Sequence, residues 1–314
     1  MFSDERDQEY IFGHKPNINV CLEKNGHIYT ITTNSDGLRE TKDYDFIDKS
    51  VIFLGDSIIE GASMENNEVI DEIFEDKTGI VSLNFGVGCY NTAHEYYWLK
   101  NKYKKQYNTK LVVLGFCLND FLANTDFRYF DEGKGTWSFH KYLTLDSNNQ
   151  TEKIYMRVKS ILRKSKFVFC TYRFLRRNVF EPRSNSSISY SYRRGHEPKH
   201  SLYTGLYIRR IKELSEKIGA NLVVIIFPRH EQIIERDQKP QMKIQDLLTK
   251  ILRENNISYI DLYEVMKQAA IKNPDMQWYY DNTHPSRDGH KLIGEYLADE
   301  LPKLFPEVFL VTIK

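Results

Sequence analysis

Short apolar runs recur along the chain, and each stops at a glycine or a polar cluster. Val51-Ile52-Phe53-Leu54 ends at Gly55, and Ile80–Phe85, Leu111–Phe116, Leu222–Phe227 and Ile257–Ile260 repeat the pattern. Unbroken β-branched runs of this length predict strands buried on both faces, as in a parallel sheet. Between them, apolar positions fall at helical spacing over Glu68–Lys77, Ala93–Tyr107, Leu206–Ile218 and Gln241–Glu254. A last amphipathic helix, Asp288–Leu301, closes before Pro302. Gly79 and Gly219 stand where C-cap glycines end helices. The alternation predicts the α/β class: a doubly wound, three-layer α/β/α sandwich with a parallel five-stranded sheet. Ligands of such sheets sit at the carboxyl ends of the strands.

Two regions depart from this rhythm. Residues 1–48 are polar and read as a strand-rich lead-in, with an alternating stretch at His27–Thr32 and a turn cluster at Asn34-Ser35-Asp36-Gly37. Residues 49–314 form the main domain, interrupted at about 121–205 by a segment too long for a plain crossover. That segment reads as an insertion or lid over the carboxyl edge. Within it Ile154–Arg177 has a helical, amphipathic and basic pattern, and Ser184–Ser191 reads as a loop.

Charge sharpens this picture. The chain holds 44 Lys+Arg against 43 Asp+Glu, for a formal net charge of +1, and 41% of it is hydrophobic. Those values exclude wholesale disorder and a wholly basic nucleic-acid binder, so no nucleic-acid partner is expected. Residues 153–210 nevertheless carry a local net charge of +13, leaving −12 for the rest. The favoured reading is a helix whose apolar face (Ile154, Val158, Ile161, Leu162, Phe169) packs on the sheet. The sharper one is a basic surface that draws an anionic polymer or a membrane. No run approaches the ~20 apolar residues of a membrane span. The acidic, polar start MFSDERDQEY is no secretory signal, which suits the cytoplasm, or the cell envelope if a leader has been trimmed. Cys21, Cys89, Cys117 and Cys170 form no C-x-x-C pair and read as mostly buried free thiols rather than a zinc ribbon.

The polar clusters at the strand ends carry the chemistry. Gly55-Asp56-Ser57 follows the first run, and Asn84–Thr92 spans the end of the second. Leu118-Asn119-Asp120 follows the third, and Asp281-Asn282-Thr283-His284-Pro285 lies near the C-terminus. All fall at one edge of the expected sheet or in a loop that can reach it. A serine hydroxyl needs a base to become a nucleophile, and His284 suits that task. Asp281 can hold the other imidazole nitrogen. The Ser57 N–H, an N–H of the Gly88–Cys89 turn and the Asn119 amide can face an oxyanion.

This layout resembles the SGNH hydrolase superfamily, the GDSL esterases and lipases. Gly55-Asp56-Ser57-Ile58 is similar to its nucleophile block, and Asn84–Thr92 to its second. Asn119-Asp120 is similar to its third, and Asp281-x-x-His284 to its last. The similarity spans about residues 30–301. Asn34-Ser35-Asp36-Gly37-Leu38-Arg39 also resembles the lead-in of bacterial members that act in envelope or polysaccharide chemistry. The resemblance implies a flavodoxin-like fold and a serine esterase. Its triad would be Ser57, His284 and Asp281, and its oxyanion hole Ser57, Gly88, Cys89 and Asn119. The implied substrate is an O-acylated, chiefly acetylated, carbohydrate or small ester, with no metal or organic cofactor. Cys89 and Cys117 stand where the family usually has glycine. Both would narrow the pocket toward small acyl groups, with Gly88 placed to take the strain that Cys89 cannot.

Blander readings stand beside these. Gly-Asp-Ser alone is usually a turn, and Asp281 or Thr283 could cap the closing helix. Asp56 and Asp120 suit backbone capping, although Asp56 is also a candidate substrate contact. Tyr90 and Trp278 are candidate sugar-stacking walls, against the prior of aromatic core. Arg229, after the fourth run, is either a contact for a substrate carboxylate or hydroxyls, or a solvated loop residue. His290 reads as a packed or surface residue. Two rival functions remain open: O-acyl transfer to a sugar hydroxyl through the same residues, and a catalytically silent binding or assembly module.

Overall fold

The computed structural model describes residues 2–3, 12–24, 27–124, 128–131, 136–139, 198–234 and 242–310. The expectations for Ile154–Arg177 and Ser184–Ser191, and Cys170, lie outside the described residues.

In chain order the strands are β1 (Phe2–Ser3), β2 (Gly13–His14), β3 (Asn19–Lys24), β4 (His27–Thr32), β5 (Ser50–Gly55), β6 (Val81–Gly86), β7 (Thr109–Cys117), β8 (Arg128–Asp131), β9 (Thr136–Phe139), β10 (Asn221–Phe227) and β11 (Ser258–Asp261). The helices are α1 (Ser57–Glu60), α2 (Ile70–Thr78), α3 (Thr92–Lys102), α4 (Asp120–Ala123), α5 (Pro198–Lys217), α6 (His230–Ile234), α7 (Lys243–Glu254), α8 (Tyr263–Lys272), α9 (Arg287–Leu304) and α10 (Pro306–Phe309).

The five apolar runs become one parallel sheet of order β6-β5-β7-β10-β11. This is the doubly wound order whose switch point lies between its first and third strands, here β5 and β7. Ser57 therefore emerges at the crevice where the topology reverses. Alternate strand residues feed two cores, because successive side chains point to opposite faces. Ile52, Leu54, Val112, Leu114, Val224 and Ile226 pack under residues of α3, α5 and α7 such as Trp98, Tyr207, Ile211 and Leu248. Val51, Phe53, Leu111, Val113, Val223 and Ile225 face residues of α2, α8 and α9 such as Phe74, Met266, Ile293 and Leu297. Burying a side chain of this size contributes about 1.5–3 kcal/mol.

Helix ends follow local chemistry. Asn91 caps α3 by accepting the Ala93 and His94 N–H groups, and Gly79 ends α2 at φ 70°. Ser286, rather than Asp281 or Thr283, caps α9. Three expectations shift. The closing helix runs to Leu304 with Pro302 inside it. Proline in the last turn forfeits a single bond, and the Phe305 N–H still reaches the Leu301 carbonyl at 2.9 Å. The stretch Ala93–Tyr107 splits into α3 and a 3-10 turn at Lys105–Tyr107. Helix α8 has no expected counterpart, since its apolar residues are diluted by Ala and Lys. Of the three described cysteines only Cys117 is buried, because Cys21 lies on a hairpin outside the sheet and Cys89 on a turn. Among the described residues no helix is long and apolar enough to cross a membrane.

The lead-in hairpin β3–β4 stands apart from the main sheet but is tied to it. Thr30 N–H donates to Glu65 Oε1 at 3.1 Å and Thr32 N–H to Asn66 Oδ1 at 3.3 Å. Asn34 then closes its turn by accepting the Asp36 and Leu38 N–H groups, with Gly37 at φ 74°. That turn aims Arg39 inward.

Candidate active site

Asp56 accepts the Ile58 N–H at 2.8 Å and caps α1, so Ser57 occupies its first position. An N–H there has no carbonyl of its own helix to meet. Helix α1 lies directly on the sheet. Gly55 and Gly115 pair in register, and a Cβ on either would collide with Ile59. A Cβ on Gly86 would strike the backbone of Glu60. These glycines set how closely the serine approaches the strand ends.

The second and last blocks meet it from either side. Ser57 Oγ lies 2.8 Å from His284 Nε2, across 227 positions of sequence. His284 Nδ1 lies 2.8 Å from Asp281 Oδ2. Asp281 Oδ1 accepts the Thr283 and His284 N–H groups, each at 2.8 Å. One carboxylate thus shapes the turn and orients the ring. Partial burial pushes the Asp281 carboxyl up, but the two backbone N–H groups and the imidazole outweigh it and hold it below the usual range. Bonds from Tyr280 N–H to His284 O and from Ser286 N–H to Trp278 O, both 2.9 Å, close the loop.

Residues Val87–Tyr90 form a turn in which the Tyr90 N–H donates to Val87 O at 3.2 Å. Cys89 takes φ +68° in it, and Gly88 does not enter the left-handed region. The expected exchange of strain to Gly88 is therefore corrected. The chain bends at the third turn position, which falls on residue 89. Gly88 is instead confined sideways, since a Cβ there would lie 2.9 Å from Glu60 Oε2. Asn119 sits beyond the end of β7. Its Oδ1 is enclosed without a partner, and its Nδ2 makes no hydrogen bond to any described residue.

The candidate contacts divide. The Tyr90 hydroxyl donates to Phe12 O, and its ring packs edge-on against Trp98 inside one core. Trp278 joins the other core, its Nε1 donating to Asn273 O at 3.4 Å. Neither ring offers an open face, since Tyr90 is 2% and Trp278 9% exposed. Asp56 is 4% exposed, and burial raises its carboxyl to about 6 against the Ile58 N–H and His284. Arg229 lies at the strand edge, buried beside Glu231. Asp120 is held by Thr92 Oγ1 at 3.2 Å, and burial drives its carboxyl well up. His290 is buried behind the site, and burial, then Arg39 and His284, lower it to about 3.

Three residues of the site were not singled out from the sequence. Arg39 is 1% exposed, and its guanidinium donates to the carbonyls of Glu60, Gly61 and Met64, fastening the end of α1. His14 Nε2 lies 2.7 Å from Glu60 Oε1. Arg39 was marked only as the end of the Asn34–Arg39 block, and nothing marked His14 or Glu60.

Comparison with known proteins gives five findings. The model of the GDSL-like Lipase/Acylhydrolase family matches residues 51–297. A search of curated proteins found no match. Among solved structures, a lipolytic G-D-S-L family protein of Veillonella parvula is 13% identical, with a TM-score of 0.46, covering 80% of this chain and 97% of that one. An acetyl xylan esterase is 11% identical at TM-score 0.46, covering 81% and 98%. A GDSL-like lipase of Bacteroides thetaiotaomicron is 16% identical at TM-score 0.42, covering 81% and 88%.

Proposed function

The chain belongs to the GDSL-like lipase/acylhydrolase family of hydrolases, and from that premise we propose that it is a serine esterase removing a small O-acyl group, chiefly acetyl, from a carbohydrate or small molecule. The observation that carries this reading is the unbroken relay Ser57–His284–Asp281, with both links at 2.8 Å.

In this mechanism His284 Nε2 takes the Ser57 proton as Oγ attacks the ester carbon. Asp281 holds Nδ1–H and stabilises the imidazolium. The carbonyl oxygen becomes an oxyanion facing the Ser57 N–H, an N–H of the Gly88–Cys89 turn and Asn119 Nδ2. Such donors contribute most where charge develops. The tetrahedral intermediate collapses, His284 gives its proton to the leaving alcohol, and the acyl group stays on Ser57. Water, deprotonated by His284, then attacks the acyl-enzyme and restores the serine. The exposed Cys89 side chain, set in the turn beside the serine, supports a small acyl group. The basic stretch at 153–210 supports an anionic polymer as the carrier.

The test is covalent labelling with a fluorophosphonate, read by peptide mass, alongside turnover of 4-nitrophenyl acetate. Labelling at Ser57 that Ser57→Ala and His284→Ala both abolish is the expected result. A folded protein that neither labels nor turns over the ester would overturn the reading.

A further inference from the structure

The loop after β10 carries a buried guanidinium that its own neighbours satisfy on one edge. The Arg229 side chain is 9% exposed, and its Nε donates to Glu231 Oε2 at 3.0 Å. Its backbone N–H donates to Gln232 Oε1 at 2.8 Å. The terminal nitrogens Nη1 and Nη2 make no hydrogen bond to any described residue. Neither is among the polar atoms sealed from solvent, whereas Glu231 Oε1 is. Glu231 thus braces the back of the guanidinium and leaves its two-nitrogen edge open.

The sheet brings the Arg229 loop to the same edge as Ser57 and Asn119. Phe227 pairs with Cys117, so Arg229 and Asn119 each follow by two residues the ends of neighbouring strands. The charge of Arg229 bears on the Cys117 thiol and the Tyr279 hydroxyl, and the Cys117 thiol in turn lies within electrostatic reach of Asp56, next to Ser57. The loop is tied to the Asp281–His284 turn. Tyr279 OH donates to Pro228 O at 2.8 Å, the His230 N–H donates to Asn282 O at 3.3 Å, and the His230 ring stacks on Tyr279 at 5.2 Å. Since β5 and β7 lie between β6 and β10, Arg229 flanks Ser57 on the side away from the Gly88–Cys89 turn.

We propose that Arg229 is a substrate-recognition residue whose open Nη edge takes a carboxylate of the ester substrate, borne by the acyl group or by the alcohol. This rests on the esterase reading above. A planar guanidinium edge meets both oxygens of a carboxylate at once, which a lone hydroxyl cannot match. Pre-set by Glu231 and the Pro228 loop, the fork needs little ordering on binding.

Two substrate pairs distinguish the sources. The acyl arm compares the 4-nitrophenyl monoester of succinic acid with that of succinamic acid. The alcohol arm compares acetylated glucuronate with acetylated glucuronamide. In one arm the wild type prefers the acid by about tenfold or more in kcat/KM, as expected for a charge-assisted pair. Arg229→Gln loses at least about tenfold more on that acid than on its amide, and Arg229→Lys keeps part of the preference. Equal losses on acid and amide, or no acid preference in either arm, would overturn the proposal. If the wild type hydrolyses no ester at all, the esterase reading fails. Calorimetry with succinate and glucuronate then decides for Arg229. Binding that Arg229→Gln abolishes upholds the site, and absence of binding overturns it.

Discussion

Replacing Cys89 by glycine isolates the physics of the second block. Cys89 occupies the third position of the Val87–Tyr90 turn at φ +68°, where a residue with a Cβ is strained by about 1–2 kcal/mol. The side chain is exposed, so its removal forfeits little burial. Glycine relieves the strain but loosens the unfolded chain, at a cost of about 0.5–1 kcal/mol. The net expectation for Cys89→Gly is stabilisation by roughly 0.5–1 kcal/mol, or a Tm increase of about 1–3 °C for a chain of this size. Cys89→Ala is the control, since it removes the thiol and keeps the Cβ. It should stay within about 0.5 kcal/mol of the wild type in urea unfolding. Gly88→Ala should move the other way, because its Cβ would press on Glu60 Oε2 at 2.9 Å. If Cys89→Gly proves no more stable than Cys89→Ala, left-handed strain at residue 89 is refuted. The same variants read pocket width. Cys89→Gly should gain more on 4-nitrophenyl butyrate than on the acetate.

Other expectations follow from neighbouring groups. Asn119→Ala should lower kcat by about 10²–10³ with little change in thermal stability, and an unchanged kcat would remove Asn119 from the oxyanion hole. Asp71 is enclosed near Arg39, and burial, then Glu72, raise its carboxyl to about 8, above its unfolded value. Its contribution is therefore fully present below the unfolded pKa and lost as pH rises through about 8. Asp71→Asn keeps an acceptor for Asn84 Nδ2, which now bonds Asp71 Oδ1 at 2.7 Å. Its stability advantage over the wild type should grow from pH 4.5 to 7.5 by up to about 1.4 kcal/mol per unit, and a pH-independent difference would contradict the raised carboxyl. Arg39→Met leaves three carbonyls at the end of α1 without their donor and should destabilise by about 3 kcal/mol or more in urea. Arg39→Lys should recover only part of that, because one ammonium lacks the planar fork.

Much of the architecture was legible because its signals are local. Val51–Leu54, Leu111–Phe116 and Leu222–Phe227 are strands buried on both faces, and composition alone records that. Gly79 and Gly219 mark helix ends because φ near +70–80° is a backbone demand met inside one turn. Three of the four polar blocks could be placed at strand ends for the same reason, and the last, Asp281–His284, in a loop able to reach that edge. Helix α8 was missed because its pattern contrasts weakly, and the end of α9 because proline in a last turn breaks only one bond.

What the chain by itself determined was the type and order of its elements and the edge to which its reactive residues come. Which groups touch was decided by the tertiary structure. The order β6-β5-β7-β10-β11 brings Ser57 within 2.8 Å of His284, and no periodicity encodes that order. Tyr90 and Trp278 look alike in sequence whether they face a ligand or a core, and the packing of Phe12 and Asn273 around them put them inside. Arg39 and Arg229 are likewise two ordinary arginines until distant backbone surrounds them. One is consumed by three carbonyls, and the other is left with an open edge at the strand ends. Periodicity reports how a segment meets its own neighbours. Burial, strain and charge at a site are set by atoms that arrive from elsewhere in the chain.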